Sequence, residues 1–208
     1  MAFTENGNAV TQFVCSREKA NVFLIGDSIR QGYCATVKEK LSNKAKVFYI
    51  SDNCRNTQYL ITNLNTWSNM FDNPELVNIV QFNCGHWDIA HWSDSELSLT
   101  SEAEYSKNIK IIIKLIKKLF VNAKIVFATT TTMNPNGSIG INPRTNSEII
   151  TYNRIAKTVA DEYGVIINDL YSLTEKWGSE SYTDFCHFTG EAFKKLGDAV
   201  ALNLQNFL

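Results

Sequence analysis

NVFLIGDSIRQGY, residues 21–33, is the stretch from which the rest of the chain can be read. Val22 to Ile25 is an unbroken apolar run, as expected of a strand buried on both faces. Gly26 breaks it, and a helical pattern follows from about Ile29 to Leu41. A fully buried strand running straight into a helix is the opening unit of an alternating β-α chain. The remaining segments repeat it. Lys46–Ile50 reads as the second strand, residues 56–69 as the second helix and Val77–Phe82 as the third strand. In 109–120, Ile109, Ile112, Ile113, Ile116 and Phe120 fall on one helical face, and Lys110, Lys114, Lys117 and Lys118 gather on the other. Lys124–Thr129 is a fourth strand, and a polar loop runs from about Thr130 to Asn146. A helix over roughly Ser147–Tyr163, a fifth strand at Val165–Ile167 and a closing helix over Thr189–Phe207 complete the order, with no internal repeat. The alternation predicts a five-stranded parallel sheet with helices on both faces, and functional groups beyond the carboxyl ends of its strands.

Composition narrows the function. The 208 residues are 44% hydrophobic and 12% aromatic, enough for one domain spanning 1–208 with a sizeable core. Twenty Lys and Arg against 21 Asp and Glu leave a formal charge of −1, which argues against nucleic-acid binding by bulk electrostatics. No uncharged apolar run of about 18 residues is present, so no membrane span is expected. The lysine-faced helix at 109–120 reads as a solvated outer layer rather than a membrane-surface helix. Five scattered cysteines (Cys15, Cys34, Cys54, Cys84, Cys186) contain no C-x-x-C pair and cannot all pair with one another. The first twenty residues lack the pattern of a secretory signal, so a reduced, cytoplasmic protein is the expectation.

Two short motifs carry the chemistry. A serine where a strand turns into a helix has its hydroxyl at the sheet's carboxyl edge, beside helix N–H groups able to receive negative charge. Ser28 stands there, and the alternative is that Ser28 or Asp27 only caps the helix. Near the other end, Asp184-Phe-Cys-His187 puts a carboxylate and an imidazole three residues apart, a spacing that fixes the ring and leaves its far nitrogen free as a base. Together they supply a Ser–His–Asp relay. The G-x-S-x-G elbow is absent, because Arg30 stands where its second glycine would be.

With these residues in view, the chain resembles the GDSL, or SGNH, hydrolase superfamily along nearly its whole length. NVFLIGDSIRQGY resembles the nucleophile block, with Ile29 for the usual leucine, and YTDFCHFTGEAFKKLGDAVA (residues 182–201) resembles the final D-x-x-H block. The resemblance implies Ser28 as nucleophile, His187 as general base and Asp184 as its orienting partner. It also implies a flavodoxin-like three-layer α/β/α sandwich, an esterase or lipase activity often directed at acetylated carbohydrate, and no metal or cofactor. Two blocks depart from the pattern. The second normally offers a glycine N–H to the oxyanion hole. Here residues 51–57 read SDNCRNT, so Cys54 or Arg55 is expected to donate instead. The third is normally G-x-N-D, and here Asn83-Cys-Gly85-His86-Trp87-Asp88 puts a tryptophan at the asparagine position. Asn83 is the expected substitute amide, with His86 as the alternative.

Asp27 and the polar, aromatic stretch Gly85, His86, Trp87 and Asp88 are the candidate substrate contacts. His86, Asp88 and His91 match a metal site only loosely. Arg144 could meet an anionic substrate and Met133 line an apolar slot, or both could simply belong to a solvated loop. Cys54, Cys84 and Cys186 are expected near the site. With no extended apolar lid, the reading is a serine esterase for short-chain, above all acetyl, esters of a small molecule or carbohydrate. Rivals are a thioesterase or lysophospholipase, or a non-catalytic glycan-binding relative. A flavin or phosphate binder is set aside for want of a glycine-rich cradle. Oligomeric state is left open.

Overall fold

The computed structural model describes residues 12–93, 95–137 and 140–208. Part of the N-terminal stretch read above, 1–11, and positions 138 and 139 of the long loop lie outside the described residues. Five strands, β1 (Ala20–Ile25), β2 (Ala45–Tyr49), β3 (Val77–Phe82), β4 (Lys124–Ala128) and β5 (Ile166–Asn168), pair in parallel in the order β2-β1-β3-β4-β5. The helices are α1 (Ser28–Lys40), α2 (Thr57–Ser68), α3 (His86–Ile89), α4 (Glu102–Leu119), α5 (Asn146–Tyr163), α6 (Leu170–Thr174) and α7 (Gly190–Gln205).

Side-chain alternation along β1 divides the core in two. Phe23 and Ile25 join one buried cluster with Leu60, Trp67, Ile112 and Ile149 from α2, α4 and α5. Val22 and Leu24 join the other with Ile29, Val37, Leu196 and Val200 from α1 and α7. The result is a three-layer α/β/α sandwich, as the alternation predicts. Ile109, Ile112, Ile113, Ile116 and Phe120 are all buried at 1% exposure or less. Helix α4 starts at Glu102, well before the apolar stripe, because Ser101 and Glu104 close a capping box that periodicity does not register. Helices α3 and α6 were also missed, being too short for a period to emerge. Among the described residues no helix is long and apolar enough to cross a membrane.

β1 lies between β2 and β3, so the strand order reverses beside it. The crevice at such a switch point is where open α/β sheets place ligands. Three segments are stitched together there: Asn83 N–H donates to Ile25 O at 3.1 Å, and Cys54 N–H to Gly26 O at 3.1 Å.

Candidate active site

Ser28 is the first residue of α1, and Asp27 is its cap. Asp27 Oδ1 accepts from Ile29 N–H at 3.0 Å, leaving the Ser28 hydroxyl free of capping duty. That hydroxyl lies 2.7 Å from His187 Nε2, and His187 Nδ1 lies 2.7 Å from Asp184 Oδ2. The three-residue spacing works because Asp184 Oδ1 also accepts the N–H groups of Cys186 (2.8 Å) and His187 (2.7 Å), folding the segment into an Asx turn. Burial pushes the Asp184 carboxyl up, but these two amides and the imidazole outweigh it, and the net shift is downward. A hydroxyl, an imidazole and a carboxylate in this relay can carry out nucleophilic acyl transfer. Asp184 and His187 side chains are 43% and 35% exposed, so the site is open at the sheet edge. A cavity of about 710 Å³ lies to one side, lined by Tyr49, Ser51, Asp52 and Trp67 and by none of the relay residues.

The expected oxyanion donors are mostly engaged elsewhere. Cys54 N–H is held by Gly26 O, which corrects the expectation that it faces the site. Arg55 has φ +48°, the left-handed conformation that glycine would adopt most easily, but its N–H is bound by Asn53 Oδ1 at 3.0 Å. Asn83 is 5% exposed and gives one amide hydrogen to Asp27 Oδ1 at 2.9 Å, leaving the second unassigned. Its Oδ1 would lie 1.9 Å from any Cβ added at Gly26, so only glycine leaves room for this amide. The Ser28 N–H, at the first position of α1, has no intrahelical acceptor.

Four expected substrate contacts turn inward instead. Asp27 is fully buried beneath the serine, and burial raises its pKa despite the hydrogen bonds from Asn83 and Ile29. Gly85 has φ +150° and packs so closely on Thr130 that an added Cβ would meet Oγ1 at 2.0 Å; it serves the turn. His86 is 3% exposed, with Nε2 3.2 Å from Thr131 Oγ1, and burial holds its pKa well below 6.5, so the ring is neutral. Asp88 is fully buried on the N-terminus of α2, where it accepts from Thr57 N–H (3.0 Å) and Thr57 Oγ1 (2.6 Å). Burial outweighs these bonds and lifts its pKa to about 6. Asp88 braces the scaffold because a buried carboxylate needs fixed donors, and a helix N-terminus supplies them. Trp87 alone of this stretch is half-buried, and it stacks on Trp92 at 6.0 Å and 30°.

His86, Asp88 and His91 are not brought together. Among the described residues the one cluster with metal-ligand spacing is Asp184, Cys186 and His187. Both ring nitrogens of His187 are already engaged there. Burial raises the Cys186 thiol to about 12, which leaves it protonated and a poor ligand. All five cysteines are free and buried.

Sequence reading missed two features. Arg30, seen only as a missing glycine, is 1% exposed and ties the serine turn to the β2–α2 loop, donating to Ile50 O (2.7 Å), Gly26 O (3.0 Å) and Asp52 O (2.6 Å). His91 clamps the loop after α3 to α5. Its Nδ1 faces Ser95 O at 2.9 Å and Nε2 faces Glu148 Oε1 at 2.5 Å, so both nitrogens face acceptors, an arrangement that favours the protonated ring. The Glu148 bond raises the His91 pKa, with burial opposing. A raised histidine pKa gives stability that is fully present below the unfolded value of 6.5 and is lost as pH rises through the folded one. His91→Gln is therefore expected to lower Tm by about 2–4 °C near pH 6, corresponding to about 1 kcal/mol. The difference should shrink as pH is raised above the histidine range; a pH-independent difference in thermal melts would refute the clamp.

The fold and its switch-point serine define a class: this is a GDSL/SGNH-like hydrolase fold. Among solved structures the chain is similar to a lipase/acylhydrolase from Enterococcus faecalis, with TM-score 0.69, 18% identity, and 90% of this chain and 96% of that one covered. It is also similar to an acetyl xylan esterase (TM-score 0.69, 16% identity, 88% and 99% covered). A third is a carbohydrate acetylesterase from Sinorhizobium meliloti (TM-score 0.70, 13% identity, 91% and 100% covered). No family model and no curated protein matches the chain.

Proposed function

We propose that this protein is a serine esterase that removes short acyl groups, acetyl above all, from carbohydrate esters. The observation that carries the reading is the unbroken relay from Ser28 Oγ through His187 to Asp184, with both links at 2.7 Å. Ser28 Oγ bonds to the ester carbonyl carbon as its proton passes to His187 Nε2. The tetrahedral adduct collapses, the C–O bond to the alcohol breaks, and the departing oxygen takes the proton from His187. Water then repeats the sequence on the acyl-serine and releases the acid. The oxyanion is met by the Ser28 N–H and by the second amide hydrogen of Asn83, since an amide offers two donors and only one is engaged. The open relay and the half-buried Trp87 suit a small acyl group on a bulky alcohol, and the acetylesterases among the structural neighbours support the same class.

Hydrolysis of p-nitrophenyl acetate, butyrate and octanoate, with acetylated xylan alongside, tests this. The expected order is acetate first, with kcat/KM falling at least about 10-fold by octanoate, as an open site offers no apolar slot to reward the longer chain. Preference for octanoate would point to lysophospholipase-like chemistry, and no turnover above buffer would refute the esterase.

A further inference from the structure

Two arginines are buried at the site, and neither is in an ion pair among the described residues. Arg30 sets both Nη groups against three carbonyls and leaves only its Nε without a partner. Arg144 is 6% exposed and meets a single carbonyl, His86 O, through Nη1, and its buried Nε has no partner. A guanidinium carries five N–H donors in a planar fork, and one kept from water with donors to spare is costly unless a ligand meets it.

The Arg144 guanidinium lies over the Phe185 ring at 5.1 Å, and the His187 imidazole packs against the same ring at 6.4 Å. Arg144 is therefore one aromatic ring away from the general base, the group that hands a proton to the departing alcohol. Its backbone contact is to His86, next to Trp87 of the Trp87–Trp92 stack, and Pro143 O accepts from His91 N–H at 2.9 Å, fixing the same two loops together.

We propose that Arg144 is a specificity-determining residue that binds a carboxylate on the alcohol portion of the ester, so that the preferred substrates are acyl esters of acidic alcohols such as acidic sugars. The proposal deepens the esterase reading and rests on it. A guanidinium fork matches a carboxylate in a two-bond pairing that an ammonium cannot reproduce.

The test compares an O-acetylated methyl glucuronoside with the carboxamide of the same sugar, identical except for the charge. Wild type is expected to favour the carboxylate by roughly 10–100-fold in kcat/KM, the value of a charge-assisted pairing. In Arg144→Gln that ratio should fall towards one, and in Arg144→Lys it should stay in between, with circular-dichroism melts checking that each variant folds. Equal turnover of the two sugars by wild type overturns the proposal, whatever the variants do. So does a ratio unchanged in a folded Arg144→Gln. Turnover of p-nitrophenyl acetate reports separately on the esterase reading. If that is absent, calorimetry of unacetylated methyl glucuronoside and its carboxamide on Ser28→Ala still decides the Arg144 site: tighter binding of the carboxylate supports it, and equal binding overturns it.

Discussion

Ser28→Ala is expected to lower hydrolysis of p-nitrophenyl acetate by about 10⁴–10⁶-fold, to the level that binding and oxyanion donors alone sustain. The fold should survive, because Asp27 rather than Ser28 caps α1 and the substitution removes one half-exposed hydroxyl. Tm should therefore stay within about 2 °C, the range of a surface change. His187→Ala should cost a similar factor, and the double variant little more, since residues acting as one unit are not additive. No neighbouring group replaces the serine. Cys186 Sγ lies 3.7 Å from His187 Nδ1, on the ring nitrogen already held by Asp184, and burial raises its thiol to about 12. Activity above about a tenth of wild type in Ser28→Ala would show that the relay is not the mechanism.

What could be read in the sequence was local. The β-α alternation is written in apolar runs, and D-x-x-H works at short range because Asp184 folds its own turn. The serine was legible as a strand-end hydroxyl, but not that Asp27 would cap the helix and free it, since both residue types cap equally well. The inward residues were not legible, because their partners are distant in the chain. Asp88 finds Thr57 from 31 positions away, and nothing near Asp88 distinguishes a brace from a pocket wall. The oxyanion donors failed for a related reason. Whether the Cys54 N–H faces the site depends on its bond to Gly26, which forms only when the loop closes onto β1. Arg30 shows the limit most plainly, as a buried arginine and a solvated one look alike in a helix pattern.

Arg30→Met is accordingly expected to be the most destabilising substitution at the site. Two effects oppose each other. Removing a buried guanidinium that touches no carboxylate returns its desolvation cost, and methionine fills much of the same volume. Against this, the carbonyls of Ile50 and Asp52 lose the donors at 2.7 and 2.6 Å, and Gly26 O keeps only Cys54 N–H. An unsatisfied buried acceptor costs about 1–3 kcal/mol, and losing the donors to the buried Ile50 carbonyl and the partly buried Asp52 carbonyl outweighs the recovered desolvation, because three carbonyls already solvate the two Nη groups. A net loss of about 2–4 kcal/mol corresponds to a Tm lower by about 5–15 °C in a chain of this size. Activity should fall as well, since Arg30 joins the turn that holds Ser28 to the loop carrying Cys54 and Arg55. Arg30→Lys, which keeps the charge but reaches fewer carbonyls, should lie between the two in both melts and kcat. Unchanged melts for Arg30→Met would mean that water satisfies these carbonyls as well as the guanidinium does, and that the serine turn is held by β1 and α1 alone.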